Sequence, residues 1–135
     1  GNPNTCDFPW SGSTPYRLAI EPSPASGWRG TVSNLENGEV VVIRDLLGGG
    51  DALGAPMVWS EVFAPCDAPA AAVLWANPQV ETFDGQVISV ATARANYQTV
   101  QAGGCSNSNV EAAADGILQR TASPRQTPPG AIVSF

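Results

Sequence analysis

The chain has 135 residues, 43% of them hydrophobic and only 13% charged, and carries a net charge of −6. It has no histidine and no lysine; its basic residues are Arg17, Arg29, Arg44, Arg94, Arg120 and Arg125. That excludes Ser-His and Cys-His nucleophile pairs, Schiff-base lysines and Walker-type phosphate lysines, and these scattered arginines form no positive footprint for nucleic acid.

Residues 1–15 form a turn-rich opening with Pro3, Pro9, Gly12 and Pro15, and it reads as a mature N-terminus. Phe8 and Trp10 are unusual in such a stretch. Tyr16 to Ile20 alternates and predicts a short strand, and Pro22, Pro24 and Gly27 then predict a loop. Residues 28–35 and 40–45 flank Glu36-Asn37-Gly38-Glu39, which predicts a hairpin with a type I′ turn at Asn-Gly. Four successive apolar residues, Val40 to Ile43, predict that the second arm is covered on both faces. Gly48-Gly49-Gly50 predicts a flexible corner and lacks the lysine and helix of a phosphate cradle.

Residues 57–63 alternate and predict a strand, and 70–76 predict another, with Trp59 and Trp75 in the core. A second hairpin is expected from 80–83 and 86–92 around Asp84-Gly85. Residues 97–100 extend that sheet, or else 87–101 is helical through Ala91, Ala93 and Ala95. Ser108-Asn109-Val110-Glu111 spells a capping box. Val110, Ala113, Ala114, Ile117 and Leu118 then share a helical face, so one short helix is predicted near 109–120. The Pro-rich segment 121–131 reads as extended or mobile, and 131–135 as an edge strand. The expectation is a mainly β single domain over 1–135, a β-sandwich or barrel of about seven strands with that one helix.

Three cysteines allow one internal bridge. Cys66 and Cys105 lie in loop-like sequence and are expected to pair, leaving Cys6 free for a disulfide-linked dimer. Widely spaced cysteines without CxxC or histidine make no zinc site, and no cofactor is implied. The apolar runs fall far short of the ~20 residues that cross a bilayer, so no membrane insertion is expected.

The low charge, the expected bridge and the missing catalytic residue types point to a secreted or cell-surface, non-catalytic binding module. Its partner would be an extracellular glycan, another extracellular polymer or a surface protein. Trp10, Tyr16 and Trp28 are the contact candidates, since loop aromatics beside polar groups suit flat ligands. A proteinase inhibitor is the alternative, with Gly54-Ala55-Pro56-Met57-Val58 or Arg120 to Pro129 as the presented loop. A third reading is a glycan-cleaving enzyme, because two carboxyl groups alone can run that reaction. Asp7, Glu36, Glu39, Asp45, Asp51, Asp67, Glu81 and Asp84 are its candidates. Asp45 and Asp51 also bracket a weak calcium motif with too few ligands. Thr14-Pro15-Tyr16-Arg17-Leu18 resembles the opening of algal pherophorin domains. Asp84-Gly85-Gln86-Val87 and the final Ile132-Val133-Ser134-Phe135 resemble bacterial subtilisin inhibitors. Both matches are short and lack those families' cysteine patterns, so neither assigns the chain.

Overall fold

The computed structural model describes residues 6–24, 26–48 and 50–135. The expected opening at 1–5, Ala25 of the first loop and Gly49 of the triple glycine lie outside them. The chain is mainly β, built of short antiparallel strands in several small sheets, with no closed barrel among the described residues. It divides into two compact units, 1–56 and 57–135.

The first unit holds β1 (Tyr16–Pro22), β2 (Trp28–Asn34) and β3 (Val40–Leu46), hydrogen-bonded in that order. The Trp28 to Asp45 hairpin is present as expected, but its turn is not type I′. The Asn34 side chain accepts the Glu36 amide at 2.8 Å, and Gly38 alone takes the left-handed conformation, at φ 77°. The loop therefore runs from Leu35 to Glu39 and is organised by an Asx turn at Asn34. β3 is not covered on both faces: Val40 and Val42 are exposed. Val32 is the buried centre of this sheet. Across β1 it faces Leu18, which stays half exposed.

In the second unit β4 (Ala72–Ala76), β9 (Gly116–Arg120) and β8 (Asn109–Ala113) form a sheet in the order β4-β9-β8. β5 (Gln79–Glu81) pairs with β6 (Val87–Ser89) around the expected Asp84-Gly85 turn, with Gly85 at φ 79°. β7 (Thr92–Arg94) pairs with β10 (Ile132–Ser134), the expected terminal edge strand. Ala95, Val110, Ile117 and Val133 form the buried core, flanked by Ala93, Tyr97 and Phe135.

The predicted helix near 109–120 is a β-hairpin. Ala113 pairs with Gly116 across Ala114-Asp115, and Val110 pairs with Gln119. Val110, Ala112 and Ile117 also fit one face of two strands paired edge to edge, with Ala112 opposite Ile117. Gly116 decides between them. It costs a helix about 1 kcal/mol relative to alanine, whereas a Cβ there would collide with the Trp75 carbonyl of β4. The capping-box serine works elsewhere: the Ser108 hydroxyl donates to the Cys105 carbonyl at 3.3 Å.

Residues 57–63 form no strand, and Trp59 is 65% exposed rather than in the core. Residues 97–100 do not extend a sheet; Val100–Ala102 is a single 3₁₀ turn capped by the Thr99 hydroxyl. The Pro-rich segment forms no strand, bends at 121–123 and turns at 129–130, and it is tied down. Asn109 Oδ1 accepts the amides of Gln126 and Thr127, each at 3.0 Å. The Tyr97 hydroxyl donates to the Thr127 carbonyl at 3.0 Å. Prolines that cannot join a ladder are thus held by side chains instead.

Candidate functional site

Tyr16 opens β1, and the segment before it folds back over its ring. The Trp10 amide donates to the Phe8 carbonyl at 3.0 Å, a tight bend that brings Phe8 and Trp10 side by side. Their ring centroids are 4.7 Å apart, and each meets Tyr16 nearly edge-on, at 5.5 Å from Phe8 and 5.0 Å from Trp10. Perpendicular contacts match the positive ring edge to the negative ring face. The Ser11 amide donates to the Tyr16 hydroxyl at 3.1 Å and fixes the phenol. Trp10 remains 57% exposed.

Polar groups border this cluster. The Thr14 hydroxyl donates to Glu36 Oε2 at 3.1 Å, and the Leu35 amide to the Pro15 carbonyl at 3.0 Å. The β2–β3 loop therefore lies against the chain that enters β1. The arrangement is an exposed aromatic surface with a carboxylate and hydroxyls at its edge. It can stack on a flat ligand face and accept or donate hydrogen bonds around it.

The three predicted contact residues do not converge. Trp10 and Tyr16 meet, but Trp28 pairs with Pro22, at the far end of β1. Six residues of strand separate those ends, about 20 Å. Trp28 is half-buried. Phe8 joins the cluster; its one-residue spacing from Trp10 was the available signal. The Thr14–Glu36 contact spans two separate loops and had none.

The expected Cys66–Cys105 disulfide is present, with Cα atoms 5.5 Å apart. Cys6 is a free, exposed cysteine. The calcium motif does not assemble. Asp45 accepts Arg29 Nε and Nη2, both at 2.8 Å, and the Ser23 hydroxyl at 3.0 Å. No group of three or more acidic or cysteine side chains suited to a metal occurs among the described residues.

Two carboxyls have displaced titrations, and both move down. The Arg29 hydrogen bonds hold Asp45 below its ordinary value against the pull of desolvation. The Thr82 hydroxyl does the same for Asp84. A sugar-cleaving general acid needs the opposite shift. A cleft of about 230 Å³ between Ala70–Ala72 and Arg120–Ser123 is smaller than the roughly 300–1,000 Å³ usual for small-molecule sites.

The chain matches no family model, no curated protein and no solved structure.

Proposed function

We propose that the chain is a secreted or cell-surface, non-catalytic binding module for carbohydrate or another extracellular polymer, with Trp10 and Tyr16 as its principal contacts. The exposed Trp10 indole, edge-on to Tyr16 and tilted against Phe8, is the observation that carries this reading. A ring held in place loses little entropy when a ligand stacks on it. The net charge of −6 favours neutral over anionic polymers. The Cys66–Cys105 bridge is the kind of bond that persists in oxidising compartments. Trp28 serves as a remote contact for a long polymer, and Cys6 supplies the link for a covalent dimer.

Affinity electrophoresis against neutral and acidic polysaccharides tests the reading. Trp10→Ala is expected to weaken binding about tenfold, the equivalent of ~1.4 kcal/mol of stacking. Retention by no polysaccharide, or unchanged retention of Trp10→Ala and Tyr16→Ala, rules it out.

The proteinase-inhibitor reading keeps one specific support. Residues 54–58 are exposed and outside any strand or helix, upstream of the bridged Cys66. The other loop, Arg120 to Pro129, is poorly suited. Arg120 is paired with Glu111 at 2.9 Å, and the Arg125 guanidinium is turned onto the chain's own carbonyls. A protease panel separates these readings.

A further inference from the structure

We infer that β4 is a self-association edge, through which a second copy of this chain pairs antiparallel to itself about Leu74. The partner sits at the outer edge of the β4-β9-β8 sheet. This inference is independent of the glycan reading, which concerns the first unit.

The ladder direction defines the free edge. The Thr121 amide donates to the Ala71 carbonyl at 2.9 Å, and the Asn77 amide to the Asp115 carbonyl at 2.7 Å. Antiparallel bonding alternates along a strand, so Val73 and Trp75 also turn their amides and carbonyls toward β9. Ala72, Leu74 and Ala76 then point theirs outward. No described residue pairs with that side of β4.

Edge strands that stay unpaired usually carry a charge or a proline. The other edges of the three-stranded sheets follow that rule. β1 has Arg17, Glu21 and Pro22, β3 has Arg44 and Asp45, and β8 has Glu111. β4 is Ala-Val-Leu-Trp-Ala, with no protective residue. Val73 is 39% and Leu74 50% exposed.

The strand is complementary to itself. Centred on Leu74, antiparallel pairing sets Leu74 opposite its own copy and Ala72 opposite Ala76. All three outward positions exchange both of their hydrogen bonds. Val73 then falls opposite Trp75, a β-branched–aromatic cross-strand pair of a stabilising kind. On the other face Leu74 lies beside Leu118 of β9, so the two copies join their leucines into one apolar stripe. With no charge in the strand, nothing in it repels its copy. Two three-stranded sheets become one of six strands. A two-fold axis of this sort closes the assembly at a dimer.

Sedimentation and light scattering of the Cys6→Ser chain over a wide concentration range test this without any covalent link. A mass of twice 13.9 kDa is expected at high concentration, dissociating on dilution. Leu74→Lys sets two charges opposite each other, and Leu74→Pro removes an outward donor while sparing the β9 ladder. Both are expected to give the single-chain mass with an unchanged circular dichroism spectrum, while Leu18→Lys leaves the dimer intact. Amide exchange gives a readout without substitution at the edge. Ala72, Leu74 and Ala76 should gain protection as concentration rises, while Val73 and Trp75 stay protected throughout. A single-chain mass at every concentration overturns the inference, as does a dimer that survives both Leu74 variants or leaves those three amides unprotected.

Discussion

The Arg125 guanidinium lies over the face of Tyr97, its central carbon 4.0 Å from the ring centroid. From there it donates to the Cys105 carbonyl at 2.7 Å and to the Ser108 carbonyl and hydroxyl at 3.2 and 3.1 Å. The same Tyr97 hydroxyl accepts the Val110 amide at 3.1 Å. One cation and one phenol thus pin the Pro-rich segment to β8 and to the bridged loop.

Arg125→Ala removes the ring contact and three charge-assisted hydrogen bonds, and it leaves two carbonyls without that donor. It is expected to destabilise the second unit by about 2–3 kcal/mol. Arg125→Lys should recover only part of this, because an ammonium lacks the planar fork. Urea unfolding of the three proteins measures both values. Equal stability for all three would show that the clamp contributes nothing.

Gly116→Ala places a methyl against the Trp75 backbone carbonyl, an atom that cannot swing aside. β4 must then part from β9, at an expected cost of at least ~2 kcal/mol. The Trp75 Nε1 to Gln119 Oε1 hydrogen bond, 3.0 Å long, should weaken with it. Thermal unfolding and indole amide shifts report the two effects separately.

Asp45 links stability to acid. Its native titration lies below the ordinary 3.8, through the Arg29 hydrogen bonds first. The stabilisation is therefore complete above the unfolded-chain value and disappears as pH falls through the lower native one. Asp45→Asn should flatten that part of the acid limb and lower stability near neutrality. Unfolding midpoints between pH ~6 and ~2 test this; a variant whose acid limb overlays the wild type would contradict it.

Cys6 should take up one equivalent of maleimide in the native single chain, and none in any Cys6-linked dimer, because it is the exposed, unbridged cysteine. Cys66 and Cys105 should label only after reduction. Reducing them is expected to lower stability by about 4 kcal/mol on the chain-entropy account of a loop of this length. Mass mapping before and after reduction locates each label.

Features carried by a few adjacent residues were legible in the sequence. The Asn37-Gly38 and Asp84-Gly85 hairpins are of this kind, since a glycine at positive φ marks each turn. So was the Cys66–Cys105 pair, because both cysteines lie in loop-like sequence whereas Cys6 lies near the turn-rich opening, although a bridge from Cys6 was an open alternative. Features set by a distant neighbour were not. The stretch 109–120 fits helix and hairpin periodicity alike, and the choice falls to the Trp75 carbonyl, some forty residues away in sequence. Trp59 sits in an alternating run that reads as a strand, yet none of the described strands pairs with it. Strand patterning predicts a face, whereas a ladder needs a second chain segment. In the candidate site Trp10 and Tyr16 could be named, but Trp28 could not be separated from them without the register of β1 on β2.

The bond from Arg125 to the Cys105 carbonyl ties oxidation to docking. By thermodynamic reciprocity, whatever the seated segment contributes to holding the two sulfurs together, the bridge returns to seating the segment. Docking raises the effective concentration of one thiol at the other, so the Arg125→Ala chain should be reduced at a less negative potential, by about 30 mV for each 1.4 kcal/mol of lost coupling. A chain in which the segment around Arg125 is not yet seated would hold a more easily broken bridge. Oxidation of this protein would then become durable only once the segment around Arg125 is seated, and thiol exchange before that moment remains free to correct a wrong pairing with Cys6.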